Sequence, residues 1–375
     1  MTYCNTNSSS ADTVHSDAKR RCPAVNKVKG KCLAVTPSEQ NERKTFELHL
    51  TGKIKQQLSA DPTLRPEYLS SLGLTKFTQR ATEVALGKRS QAILENRVTS
   101  AVYNVYAVIA YCRSTVQLHR IQDIREYYYW DDKQRDICLD KLLEDLETAP
   151  EQSVVVLAAS AHCPTGADLS QNQWAVITQL FPFLMLPAQA LCYGDLERDA
   201  WPVQLCASNG IELLCAQSFS HCFGLYGEAV GHLLCVLKHN SLLLSVQSQA
   251  DKIVKSLWSQ PSVGGARVVA TVLSNPAHLV EWQGEVKHIV ERCMLIREVL
   301  RERLRLLGTP GCWDHLTQQR GLYCCMGLNG QQVEFLSKWR HVYLLPSGCL
   351  NVSAINGRNL SYVAESIHLA LTTSL

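Results

Sequence analysis

The chain has 375 residues, 46% hydrophobic and 19% charged, a balance that allows a large buried core in two lobes and excludes a disordered or fibrous protein. Its net charge of +3 is spread thinly, and the one basic cluster, Lys19, Arg20 and Arg21 with Lys27, Lys29 and Lys31, lies in a polar tail and reads as solvated, so no nucleic-acid partner is expected. Sixteen scattered cysteines without a C-x-x-C pair, and a start without a secretory pattern, point to reduced thiols in the cytoplasm.

Residues 1–45 are rich in Ser, Asn, Thr and Lys without apolar periodicity and are expected to be a poorly ordered extension. The folded part is expected from Phe46. From Leu74, the residues Phe77, Ala81, Val84 and Ala85 recur at helical spacing and stop at Gly87, which predicts an amphipathic helix. Residues 98–112 are β-branched and aromatic enough for a buried strand, with helix left open. Val154 to Ala159 is a short continuous apolar run, the pattern of a strand buried on both faces of a parallel sheet. The loop His162-Cys-Pro-Thr-Gly166 follows it, and the carboxyl ends of such strands are where ligands bind in open α/β sheets.

The longest apolar run, Leu180 to Cys192, is interrupted by Pro182 and Pro187 and is too short to span a bilayer, so no membrane partner is expected. Gly210 to Gln217 reads as a second buried strand, and strands alternating with helices argue the α/β class. Trp282, Val286, Ile289, Val290, Cys293, Ile296, Leu300, Leu304 and Leu307 form a helical stripe closing at Gly308, a helix long enough to bridge two lobes. After it come a short helix at Gln331 to Lys338 and short strands at His341 to Leu345 and Leu350 to Val352. His221 and Cys222, with Cys215 and His232 nearby, lack the paired spacing of a zinc site, and no metal is expected.

The segment Cys215-Ala-Gln-Ser-Phe-Ser-His-Cys-Phe-Gly-Leu-Tyr-Gly-Glu-Ala-Val-Gly231 resembles the cofactor-lysine segment of the cytosolic aspartate aminotransferase family. Glu67 to Leu74, Tyr129 to Asp131, His162 to Gly166, Gly194 to Trp201, Gly265 to Arg267 and Leu345 to Gly348 match the same family in order and spacing. The resemblance runs from about residue 50 to the C-terminus and is poor around residues 99–118. It implies an α/β, type I pyridoxal-phosphate aminotransferase fold, truncated relative to the family. The large, mostly parallel sheet domain would cover residues 46–280, and a long bridging helix with a small domain residues 281–375. It also implies pyridoxal phosphate as cofactor, and a homodimer interconverting aspartate and 2-oxoglutarate with oxaloacetate and glutamate.

On that resemblance His221 stands where the family's lysine forms the imine and then moves the α-proton; imidazole can do the second but not the first. Met185 stands at the carboxylate that keeps the pyridine nitrogen protonated. Ala188 and Cys163 stand at the tyrosine and asparagine that contact the phenolic oxygen, and Ala229 at the phosphate arginine. Tyr68 and Ser218 match retained phosphate-binding positions. Cys349 stands at the arginine for the substrate's α-carboxylate, and Lys255 keeps the charge, without the planar fork, of the second substrate arginine. The family's glycine-rich phosphate loop and ring-stacking aromatic have no counterpart between Val98 and Tyr129. The expected function is thus an aspartate aminotransferase-like protein, inactive or severely impaired, with a scaffold or binding role. The alternative is a weakly active aminotransferase or racemase with non-covalent cofactor, using His221 or Lys255 for proton transfer.

Overall fold

A computed structural model describes residues 48–64, 68–104, 125–150, 153–163, 165–177, 181–228, 230–257, 259–261 and 263–373. The expected N-terminal extension and most of the segment 99–118 lie outside the described residues. The strands are β1 (Val98–Asn104), β2 (Trp130–Asp131), β3 (Asp136–Ile137), β4 (Val154–Ala158), β5 (Phe181–Leu186), β6 (Leu213–Ser218), β7 (Val230–Val236), β8 (Tyr323–Cys325) and β9 (Cys349–Asn351). A five-stranded sheet has the order β1-β7-β6-β5-β4. Within it β4, β5 and β6 run parallel, while β7 pairs antiparallel with both β6 and β1. β2 with β3, and β8 with β9, form two-stranded ribbons.

Apolar side chains cover both faces of this sheet. One face gathers Leu157, Leu184, Leu186, Leu213 and Leu234 with Leu142 and Trp174. The other carries Phe183 and Ala216 with Val156, Leu214 and Leu233 packed against them, and the largest core, with Phe77, Phe219, Phe223 and Trp282, lies mostly beyond the strands. Phe223 stacks on Trp282 with ring centroids 4.6 Å apart, and Phe219 meets Phe77 edge-on at 5.3 Å. β4 departs from its expected burial on both faces. It is the edge strand of the described sheet, with Val155 and Leu157 buried and Val154 55% exposed. Its side chains alternate, with Val155 and Leu157 buried on one face and Val154, Val156 and Ala158 exposed or half-buried on the other, so only one face of this strand is fully covered.

The helix expected from Leu74 forms as Thr75–Leu86, ended by Gly87 at φ 82°, backbone that glycine adopts without a Cβ penalty. The expected stripe from Trp282 belongs to the helix Pro276–Leu306, which starts earlier because the Asn275 side chain accepts from Ala277 N at 2.9 Å and Pro276 opens the first turn. Arg297 on this helix is fully buried. It donates to the carbonyls of Gly321 at 2.9 Å and Tyr323 at 2.7 Å, tying the helix to the start of β8.

The expected short helix forms as Gly330–Arg340 behind a capping box of Asn329 and Gln332. The expected strand at His341 to Leu345 does not form beyond an isolated bridge at Val342. His341 takes φ 52° at the helix end, which turns the chain away. β9 pairs instead with β8.

Candidate functional site

Because β4, β5 and β6 are parallel, their carboxyl ends open on one edge of the sheet, the place where α/β sheets bind ligands. Beyond β4, half-buried Asp168 accepts from Ala161 N at 2.9 Å and His162 N at 2.8 Å, fixing the loop from within. His162 holds Thr165 Oγ1 at 2.7 Å and stacks on Tyr129 with centroids 4.3 Å apart. Burial drives its pKa down to about 3, so it is a neutral, packed imidazole at physiological pH. The next residue, Cys163, is exposed.

On β5, Met185 lies between Ala158 of β4 and Ala216 of β6, and its carbonyl accepts from Ala159 N at 2.9 Å. Met185 and Ala188 are both buried. At the end of β6 the Ser218 hydroxyl accepts from Ser220 N at 3.3 Å, and its carbonyl accepts from the Cys222 thiol at 3.8 Å. His221 is half-buried in the turn that follows and meets Tyr226 edge-on at 5.3 Å. Its pKa is lowered by burial.

Tyr68 and Lys255 occupy a different surface. Tyr68 is 92% exposed. Its segment is anchored by Ser71, whose hydroxyl donates to Asp251, and by Leu69, whose carbonyl accepts from Gln260 Nε2 at 2.8 Å. Lys255 pairs with the same Asp251 at 2.8 Å, so one carboxylate ties Lys255 to Ser71, three residues after Tyr68. Cys349 packs in a small buried cluster with Cys325, Trp130 and Ala167. Ala167 belongs to the loop after β4, and Tyr129 Oη donates to its carbonyl at 2.8 Å. The β8–β9 ribbon is thereby held against that loop. Ala229 lies outside the described residues.

Sequence reasoning missed the buried polar chain behind these strand ends. His232 Nδ1 and Gln217 Oε1 stand 2.6 Å apart, Gln217 donates to Gln189 Oε1 at 2.8 Å, and Gln189 donates to the carbonyls of Val84 and Leu196 at 3.0 and 2.8 Å. It also missed Asp199, which accepts from Cys192 N at 2.9 Å and Tyr193 N at 3.0 Å and whose pKa burial raises to about 7. Gln189 interrupts an otherwise apolar stretch, which is its only signal, whereas Asp199 sits among Asp195, Glu197 and Arg198 and carries none.

An aldehyde cofactor with a phosphate requires an amine to form the imine, a carboxylate at the ring nitrogen, and a guanidinium with backbone N–H groups for the dianion. The expected positions carry instead an imidazole at His221, a thioether at Met185, a methyl at Ala188, thiols at Cys163 and Cys349, and a Ser218 hydroxyl engaged within its own turn. That donor set does not fit a covalently held pyridoxal phosphate. Among the described residues no group of three or more His, Cys, Asp or Glu could hold a metal ion, and no helix is long and apolar enough to cross a membrane.

The family model "Aminotransferase class I and II" matches residues 110–367. The chain is 40% identical over 375 residues to the cytoplasmic aspartate aminotransferase of Gallus gallus, covering 91% of each chain. Its structure is similar to that of aspartate aminotransferase from Trypanosoma cruzi, with TM-score 0.81 and 30% identity over 92% of this chain and 93% of that one. It is similar also to an aromatic-amino-acid aminotransferase from Burkholderia pseudomallei that is covalently bound to pyridoxal phosphate, with TM-score 0.85 and 26% identity over 92% and 94% of the two chains.

Proposed function

The chain belongs to the class I and II aminotransferases, and on that premise we propose that it keeps the family's scaffold without its transamination, acting by association or ligand binding. Its α/β fold is the type I pyridoxal-phosphate aminotransferase fold, so the question is confined to the groups at the strand ends. One observation carries the reading. Of the described positions expected to hold cofactor and α-carboxylate, Tyr68 and Ser218 are retained, and the others present His221, Met185, Ala188, Cys163 and Cys349, none of which is an amine, a carboxylate or a guanidinium. Each lost charge-assisted contact typically costs about 1.5–3 kcal/mol, and a lost transition-state donor about 2.7–4 kcal/mol. Such losses are not additive, but together they remove imine formation, ring electronics and substrate grip at once.

In this reading residues 46–280 form the cofactor-type domain and 281–375 the bridging helix with the small domain, and the protein is a cytoplasmic homodimer. The exposure of Tyr68 and Lys255 on one surface, with Asp251 tying Lys255 to Ser71, supports a second subunit meeting the chain there.

The test is a titration of purified protein with pyridoxal phosphate, followed by absorbance and by turnover of aspartate with 2-oxoglutarate. Neither a cofactor band nor turnover is expected. A band accompanied by turnover overturns the reading, and a borohydride-trapped pyridoxyl group on Lys255 would then favour the weakly active alternative.

A further inference from the structure

The β8–β9 ribbon sets two cysteines directly opposite each other, since Cys325 and Cys349 are register partners. Opposed pairs along an antiparallel ribbon alternate between hydrogen-bonded and non-hydrogen-bonded, and the backbone bonds decide which this is. Met326 N donates to Gly348 O at 3.3 Å and Val352 N to Leu322 O at 2.8 Å. Cys325 N turns away to Gln319 Oε1 at 2.9 Å, and Cys349 O accepts from Leu345 N at 3.1 Å. The ladder bonds therefore flank the cysteine pair, which is the non-hydrogen-bonded kind, with Cα atoms about 4.5 Å apart and side chains at their closest. That separation falls inside the ~4.4–6.8 Å window in which a disulfide closes without moving the backbone.

Strand alternation separates this pair from its neighbour. Cys324 and Leu350 enter the main core, while Cys325 and Cys349 share the opposite face with Trp130 and Ala167. Both thiols are free, and the Cys349 thiol donates to the Ser347 carbonyl at 3.8 Å. The neighbouring Cys349 thiol lowers the pKa of Cys325, and Cys325 together with burial raises that of Cys349. The Arg135 guanidinium, which lies over the Trp313 ring at 4.9 Å, favours the anion on Cys325 as well.

We propose that Cys325 and Cys349 are an oxidation site, a cross-strand dithiol that small hydroperoxides convert to an intramolecular disulfide. The Cys325 thiolate attacks the terminal peroxide oxygen, the O–O bond breaks, and the alcohol or water leaves with a proton, giving a sulfenic acid. The Cys349 sulfur then attacks Cys325 sulfur as its thiol proton departs, the S–O bond breaks and water leaves. Two thiols are oxidised by one peroxide, which is reduced to an alcohol, or water, plus water. The new bond closes the loop that contains the helix Gly330–Arg340 and fixes the turn Leu345 to Gly348 beside the loop after β4. This site is independent of whether the chain transaminates.

The experiment treats the reduced full chain, in its native state, with hydrogen peroxide, alkylates the remaining thiols and maps peptides without reduction. Expected are the loss of two hydrogens in mass, loss of two alkylatable thiols, and one cross-linked species joining the Cys325 and Cys349 peptides that dithiothreitol separates. Cys324→Ser is expected to leave that species intact, and Cys349→Ser to leave Cys325 as a trappable sulfenic acid. A cross-link through Cys324, a sulfinic acid on Cys325 while Cys349 stays alkylatable, or no change at either thiol overturns the proposal. The wild-type map alone decides, should a variant fail to fold.

Discussion

The turn after β6 contains both halves of the molecule within eight residues. Phe219, Cys222, Phe223 and Leu225 are buried in the main core, and Trp282 Nε1 donates to the Cys222 carbonyl at 3.0 Å. His221, in the same turn, is only half-buried against Tyr226. The packing half fits the fold of the aminotransferases it resembles, whereas the chemical half has an imidazole where the resemblance implies an amine. Folding needs buried apolar area and paired backbone groups, and neither depends on which functional group projects from the strand ends. A scaffold can therefore persist after its chemistry has gone.

If the packing half carries the fold, the largest effect should come from truncating it. Trp282→Ala removes a fully buried indole, its stack on Phe223 and its bond to Cys222. We expect a loss of about 3–5 kcal/mol by urea unfolding. A loss below about 1 kcal/mol would mean that this core is not what holds the turn. Next comes Arg297→Met, which leaves the Gly321 and Tyr323 carbonyls without their guanidinium donor. Unpaired buried carbonyls cost about 1–3 kcal/mol each, offset in part by no longer burying a charge. A net loss of roughly 2–4 kcal/mol is expected, with weakened protection of β8 in hydrogen exchange as its local sign.

Acid should act on both halves. His162 in the strand-end loop and His232 in the sheet both have pKa values lowered by burial to about 3, below the ~6.5 of an unfolded chain. Folding keeps them neutral, so their contribution is full above about pH 6.5, shrinks as pH falls from there to about 3, and is absent below. Within that window each histidine removes about 1.4 kcal/mol per pH unit. Urea midpoints at pH 7, 6 and 5 measure the slope. His315, held near 4 mainly by burial, adds to this slope and Asp199, raised to about 7, opposes it. His232→Gln should therefore lower the net slope by about 1.4 kcal/mol per pH unit, and an unchanged slope would place the acid sensitivity elsewhere.

How legible these halves are in the sequence follows from the range of the interactions. The helix Thr75–Leu86 and β6 were readable because an apolar period or run and a glycine stop are local signals. The helix Pro276–Leu306 was readable in its stripe, while its start rests on the cap Asn275, which precedes the apolar pattern. β8 was not readable: three residues carry no period, and its partner β9 is 24 or more residues away. Likewise Gln189, Gln217 and His232 form one chain across separations of 28 and 15 residues, which no short pattern encodes. The positions of His221, Met185 and Cys349 came from resemblance, since only motif order says what a residue at a strand end stands in for.

The smallest stability effect, and the sharpest test of the comparison, is expected from His221→Lys. A lysine can lie along the half-buried site and carry its ammonium to water, so the change in stability should stay within about 1 kcal/mol. The variant supplies at that position an amine able to form an imine with pyridoxal phosphate. A borohydride-trapped pyridoxyl adduct on Lys at that position, without turnover, is the expected result. On the proposed reading, Met185 would still leave the ring nitrogen without a carboxylate, and Cys349 would offer the substrate's α-carboxylate no cation. Adding Met185→Asp and Cys349→Arg should then be required before any aspartate is consumed. Steady turnover by the single variant would reduce the difference between the two halves to one missing amine and would overturn the reading that the strand ends have lost their chemistry as a group.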